Sequence, residues 1–293
     1  MSNSQPVHGN YHGLVPRAKQ LKKYYTKRLF VRDPRLAVLP PSTFAGARVL
    51  DVGCNEGFVT CEIAQSWGAK KVIGVDIDDA LIRAAWKRRR TVWSSQEPSR
   101  DNQTLNANMT QTNGRKRRRE SVALDDESTS TGRAQADYFP LSCEHMFGPL
   151  PILSTCKSGD STNFPHNVAF RAADWVNSEI PEDKEGYDVI LAFSVSKWIH
   201  LNGGDEGLKK FFRRIYSVLR PGGTFVFEPQ DWDTYAKAKR IHAKLRENAK
   251  ELKLRPGDFE RILAEIGFGP AQHLGMVGQS GFRRPIDVYI KAG

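Results

Sequence analysis

"VLDVGCNEGFVT", residues 49–60, decides the fold class, because an apolar strand runs into a turn carrying Gly53 and Gly57 and then into a helix. Such a junction leaves backbone N–H groups at a helix start, where nucleotide-like ligands commonly sit. Reading outward, "RVLDVG" is a strand, "FVTCEIAQSWG" a helix closed by Gly68, "KVIGVDID" a second strand and "DALIRAAWKRRRTVW" a second helix. Further along come the strands "VAFRAADW" and "YDVILAFSV", a helix from Asp205 to Leu219, and the strand "TFVFEP". In that helix Leu208, Phe211, Phe212, Ile215, Val218 and Leu219 form one apolar stripe at helical spacing. "RPGG", residues 220–223, stops it. The chain ends with an amphipathic helix, "DFERILAEIGF", and two strands, "AQHLGMV" and "PIDVYIKA". Strands alternating with helices predict an α/β class, with a mostly parallel sheet covered on both faces.

The ligand on the glycine turn follows from what the turn lacks. A dinucleotide site needs G-x-G-x-x-G, but Cys54, Asn55 and Glu56 separate the two glycines and the middle one is missing. The Glu56 carboxylate near the helix start would repel a pyrophosphate, and no G-x-x-x-x-G-K-[ST] sequence occurs. S-adenosylmethionine carries no phosphate, so its zwitterionic end and adenosine suit this turn better. Asp76, 23 residues after Gly53 at the end of the second strand, is placed to accept from ribose hydroxyls. Dinucleotide enzymes share that acid, and Asp51 and Asp76 also fit helix caps or surface acids.

At 293 residues the length allows one large domain or two smaller ones, and 39% hydrophobic with 26% charged residues is ordinary for a globular protein. The net charge of +11 points to a polyanionic partner: RNA, DNA or an acidic membrane. Cys54, Cys61, Cys143 and Cys156 form no CxxC pair and have no His at ligand spacing, which predicts a reduced intracellular protein without a metal. No apolar run approaches the ~18 residues needed to span a bilayer, so no membrane partner is expected. The mean hydropathy of −0.52 indicates that part of the chain is unpacked. Residues 94–137 supply that part, being rich in Ser, Thr, Asn, Gln and charge, and a weaker stretch continues to about 163. This insertion at 94–163 is predicted to be disordered and to interrupt one domain. Within it "RKRRR", Arg115–Arg119, fits a solvated charge run, a nuclear-import signal or an RNA-touching tail. Nuclear localisation is the expectation, with the cytoplasm also open.

"KWIHLNGGDEGLKKFFRRIYSVLRPGGTFVFEPQDW" resembles the Bin3 family of RNA 5'-phosphate methyltransferases, supported by "GNYHG", "YYTKR", "LDVGCNEG", "IGVDID" and "SGFRRP". These motifs span nearly the whole chain outside the insertion. The resemblance implies a Rossmann-like class I S-adenosylmethionine-dependent methyltransferase with a seven-stranded sheet. It also implies methyl transfer to the terminal (gamma) phosphate of a small non-coding RNA. "GNYHG" and "YYTKR" look like one tract in the family, whereas "LVPRAKQLKK" separates them here, leaving the placement of Asn10 and Tyr11 open. By motif matching, residues 1–46 close over cofactor and RNA end and 47–293 form the methyltransferase domain. Tyr25 and Arg35 then close over the cofactor, Gly53, Cys54 and Asn55 hold its methionine end, and Asp76 and Ile77 its ribose. Asp174 and Trp175 flank the adenine, although Trp175 fits a core position equally well, and Phe193 lines the methyl side.

Transfer from a sulfonium to a phosphate oxygen that is already anionic needs no general base, since the second phosphate pKa is ~6. It needs cations that hold the other oxygens. Lys197 and His200 of "SKWIHL", with Arg283 or Arg284, are the expected phosphate contacts; for His200 the alternative is a capped helix-end histidine, and for the arginines a solvated surface. Glu228 and Gln230 are expected to position substrate or the N-terminal segment, and Tyr24 to stack on the first base. The run Lys87–Arg90 favours a helix C-terminus and admits backbone contact with RNA. Rival functions are methylation of another acceptor, weakened by the absence of an "NPPY"-type motif, and a non-catalytic RNA-stabilising protein. Subunits of an RNA–protein complex are further candidate partners.

Overall fold

In a computed structural model of the chain, the described residues are 32–95, 143, 146–152, 162–278 and 283–293. Tyr24, Tyr25, the "RKRRR" run and most of the 94–163 insertion lie outside them. The described residues of 90–152 form a unit separate from the rest, and among them the Leu150 N–H donates to Ser94 Oγ at 2.7 Å.

The rest is built on one seven-stranded sheet. Its strands are β1 (Arg48–Val52), β2 (Lys71–Asp76), β3 (Val168–Ala172), β4 (Tyr187–Phe193), β5 (Leu219–Glu228), β6 (Gln272–Val277) and β7 (Arg284–Ile290), in the order β3-β2-β1-β4-β5-β7-β6. β1 pairs in parallel with β2 and β4, and only β7 runs antiparallel to its neighbours, β5 and β6. The helices are α1 (Pro34–Ala37), α2 (Phe58–Ser66), α3 (Asp79–Ser94), α4 (Ser196–Val218), α5 (Asp233–Ala238), α6 (Ala243–Glu251) and α7 (Phe259–Ile266). This is the mostly parallel α/β architecture that the alternation predicts.

Period-two alternation sorts the strand side chains onto two faces. On one face Leu50, Val52, Ile73, Val75, Ile190, Phe225 and Phe227 pack against the stripe Leu208, Phe211, Phe212 and Ile215 of α4 and against Phe259, Ile262 and Leu263 of α7. Phe212 lies edge-on to both Phe227 and Phe259, at 5.7 Å between ring centres in each pair. On the other face Phe170 meets Trp86 of α3 edge-on at 5.3 Å, and a Cβ on Gly74 would come within 2.8 Å of the Phe170 ring. There the buried Asp51 carboxylate of β1 accepts from Thr60 Oγ1 of α2 at 2.6 Å.

Two features depart from the sequence expectations. The helix predicted from Asp205 follows a non-helical Gly204 (φ 67, ψ −170), a conformation that glycine tolerates, and is preceded by an unexpected helical segment from Ser196, the two together making α4. The strand after it begins at Leu219, so "RPGG" lies within β5. The helices α5 and α6, which carry no continuous apolar stripe, add a small core in which Tyr235, Ala238, Leu245 and Leu252 close over Leu201 of α4.

Truncating Phe212 to Ala should lower the unfolding free energy by about 3–5 kcal/mol in urea melts, because a fully buried ring leaves a cavity. Burial pushes the Asp51 pKa up to about 6, against the opposing pull of Thr60 and Arg35. Between the unfolded carboxyl value, near ~4, and that folded value the native state binds more protons, so stability falls as pH rises through the window. Asp51→Asn removes this slope. Relative to wild type, the variant should gain on the order of 2–3 kcal/mol between pH 4 and pH 7.5; equal pH dependence of the two proteins in urea melts would show that Asp51 is not the group responsible.

Candidate active site

The carboxyl ends of β1, β2, β4 and β5 lie side by side around the switch in strand order between β1 and β4, the place where such sheets form a ligand crevice. Gly53, directly after β1, has φ +77, and a Cβ there would lie 2.9 Å from Val195 Cγ2, so only glycine lets the turn approach the β4–α4 junction. Cys54 follows, with its buried thiol pushed well above its ordinary pKa by desolvation. Asn55 takes φ 54, its N–H donates to Asp76 Oδ2 at 2.9 Å, and its own Oδ1 accepts from the Glu56 N–H at 2.7 Å. Asp76 Oδ1 also accepts from the Asp78 N–H at 3.0 Å, across the half-buried Ile77. The ends of β1 and β2 are thus tied by one carboxylate.

On the β4–β5 side, Glu228 is the centre. It is 2% exposed, and its Oε2 accepts from Ser194 Oγ at 2.7 Å and from Arg35 Nη1 at 3.1 Å. Arg35 also donates from Nε and Nη2 to the two carboxylate oxygens of Asp33, at 2.9 and 2.7 Å, and its guanidinium lies 4.7 Å from the Phe193 ring centre. Arg284 Nη1 donates to Ser194 Oγ and stands 3.9 Å from Glu228 Oε1, while Arg283 is exposed beside it. Ser194 itself sits at φ 59, a region that side chains other than Gly, Asn and Asp rarely enter. Gln230, also 2% exposed, accepts from Ser196 Oγ and the Lys197 N–H at 3.2 and 3.0 Å and donates to the Ser194 carbonyl at 2.5 Å. It fastens the start of α4 to the end of β5.

Two expected contacts are placed elsewhere. His200 is 0% exposed, with Nε2 2.8 Å from Asp205 Oδ1 and Nδ1 3.2 Å from Tyr235 Oη. Burial holds its pKa below the ordinary value despite Asp205, so it is a neutral interior group at the helix break, not a cation presented to a phosphate. Trp175, 3% exposed, belongs to the core: its Nε1 donates to the Asp183 carboxylate at 3.2 Å and its ring meets Phe211 edge-on. Only Asp174, half-buried and accepting from Asn177 Nδ2 at 2.8 Å, remains at the end of β3. Lys197 is 6% exposed, and its Nζ donates to Thr234 Oγ1 at 3.3 Å. Glu56 lies 3.7 Å from Arg88 Nη2, so its repulsion of a pyrophosphate is partly neutralised, and the missing glycine carries more weight. Ser194 and Thr234 were not legible as site residues, because each acts through partners far away in the sequence, and Asp33 was not because it lies outside every motif.

The donor set fits a zwitterionic amino-acid end joined to a ribose. Arg35 offers a guanidinium to a carboxylate, and Asp51, whose pKa responds to both Arg35 and Asp76, lies in the same field. Asp76 supplies an acceptor-only carboxylate at the end of β2. Among the described residues no cluster of His, Cys, Asp and Glu could hold a metal ion, and no helix is long and apolar enough to cross a membrane.

Residues 187–291 match the family model described as Bicoid-interacting protein 3 (Bin3), and residues 49–116 match a methyltransferase domain. The chain is 37% identical to the human 7SK snRNA methylphosphate capping enzyme over 92% of its own length, but it spans only 38% of that relative. It is 35% identical to a probable RNA methyltransferase of Arabidopsis thaliana, covering 88% of this chain and 74% of the relative. With the U6 snRNA methylphosphate capping enzyme Amus of Drosophila melanogaster it shares 31% identity, over 92% of this chain and 73% of the relative. With the motif-bearing β4–α4–β5 segment and the glycine turn placed around one crevice, these similarities identify the chain as a member of the Bin3 family of methyltransferase-fold proteins.

Proposed function

We propose that the protein is an S-adenosylmethionine-dependent methyltransferase that methylates the 5'-terminal phosphate of a small non-coding RNA. The observation that carries this assignment is the similarity, across about three quarters of their length, to relatives named for RNA methylation and methylphosphate capping. Bound S-adenosylmethionine supplies a methyl group on a positively charged sulfur. The chain's own task is positioning, which can remove ~7–11 kcal/mol from a barrier when reactants are held in line. Gly53, Cys54 and Asn55 face the amino-acid end of the donor, Asp76 and Ile77 its ribose, and Asp174 its base, while Arg35 closes the crevice above Phe193. Arg284, Arg283 and Lys197 hold the phosphate oxygens, Glu228 orients both Arg35 and Arg284, and Gln230 sets Lys197 relative to β5. No residue is asked to remove a proton. His200 acts through packing of α4. The N-terminal segment, with Tyr24 at the first base and Tyr25 at the cofactor, completes the site, and nuclear placement with RNA–protein complex subunits as partners belongs to the same proposal.

Incubation with labelled S-adenosylmethionine and 5'-phosphorylated small RNA should give methylated RNA, and prior removal of the 5' phosphates should abolish labelling; labelling that survives dephosphorylation would place the methyl on another acceptor. Lys197→Ala should reduce kcat on the order of 100-fold with S-adenosylhomocysteine affinity unchanged, read by calorimetry. Loss of both together would assign Lys197 to the scaffold, and cofactor binding without turnover on any phosphorylated RNA would favour a non-catalytic RNA-binding protein.

A further inference from the structure

Glu62 lies on α2, outside every motif that points to the site. Its Oε2 accepts from the Asp33 N–H at 2.8 Å and its Oε1 from Trp67 Nε1 at 3.3 Å. Burial raises its pKa, so this carboxylate stands in a place that is unfavourable for charge. What it fixes is the residue that orients Arg35. Asp33 is 5% exposed, caps α1 through the Arg35 N–H at 2.9 Å, and takes Nε and Nη2 of the same arginine. Arg35 then spans to Glu228 on β5, 193 residues away in sequence, across the face of Phe193. A continuous line of charged and hydrogen-bonded groups therefore runs from α2, through the first described turn of the N-terminal segment, to the end of β5.

We propose that Glu62 and Asp33 are positioning residues that hold the Arg35 guanidinium over the crevice, and that affinity for the cofactor's carboxylate end runs through this relay. The proposal rests on the assignment of the crevice to S-adenosylmethionine. A guanidinium held in place in advance loses less rotamer freedom when an anion approaches it. Asp33 holds the Nε and Nη2 edge of Arg35, and Glu62 fixes the backbone that carries Asp33.

The test is calorimetric binding of S-adenosylhomocysteine to the full chain, with urea melts confirming that each variant is folded. Arg35→Ala and Glu62→Ala should each weaken binding about tenfold, which is ~1.4 kcal/mol. The double variant should bind as Arg35→Ala does, because Glu62 has no effect once the guanidinium is gone. Glu62→Gln, whose amide oxygen can accept from only one of the two N–H groups at a time, should fall between Glu62→Ala and wild type. Should Glu62→Ala unfold the chain, Glu62→Gln and Asp33→Asn, each alone and combined with Arg35→Ala, give the same comparison. Wild-type affinity in Glu62→Ala, or additive losses in the double variant, would overturn the relay while leaving the cofactor assignment intact. Failure of the wild-type protein to bind S-adenosylhomocysteine would remove both.

Discussion

Everything at the site depends on the reversal of strand order between β1 and β4. β2 and β3 lie on one side of β1 while β4 and β5 lie on the other, so the connections leaving the carboxyl ends of β1 and β4 diverge to opposite faces and leave a crevice between them. Gly53 sets how closely the turn after β1 approaches the β4–α4 junction. With no Cβ, the turn closes to van der Waals range of Val195, and the ends of β1 and β4 form two walls of one cleft. The apolar stripe Leu208, Phe211, Phe212 and Ile215 anchors the part of α4 after the break at Gly204, while Gln230 fastens the first turn, which carries Lys197, to the end of β5.

Charge is arranged around that cleft by burial. Glu228, Asp33, Asp51 and Gln230 are all nearly inaccessible, and a buried carboxylate is tolerated only when donors surround it. For Asp33 and Glu228 the donors include the Arg35 guanidinium, which offsets their desolvation, with Arg284 3.9 Å from Glu228; for Asp51, whose partner is Thr60, desolvation wins and the pKa rises. Ser194, in a left-handed conformation between Glu228 and Arg284, is the point where backbone strain and this electrostatic pairing meet. Strained residues of this kind persist where the surrounding structure over-determines them, and they gather at functional sites.

The order of strands and helices was legible because it is written in local periodicity. The turn at Gly53, the acid at Asp76 and the α4 stripe each declare themselves within a dozen residues. What failed to show was burial decided by distant partners. His200 and Trp175 carry chemistry-bearing groups, yet Tyr235 and Asp205 enclose the one, while Asp183 and Phe211 enclose the other. The helices α5 and α6 escaped because Tyr235, Ala238, Leu245 and Leu252 are isolated apolar anchors in a stretch crowded with Lys and Arg. Glu62 gave no signal at all, since its partner Asp33 lies 29 residues upstream. Tyr24 and Tyr25, expected at the base and the cofactor, fall outside the described residues.

The most direct measurement is a crystal structure of the protein with S-adenosylhomocysteine. Its ribose hydroxyls should meet Asp76, its amino-acid end should lie against Gly53–Asn55 beneath Arg35, and its sulfur should point toward Phe193 and the lip formed by Ser194 and Arg284. Density for the ligand at any other place, or a crevice that remains empty at saturating ligand, would contradict the assignment of this cleft to methyl transfer.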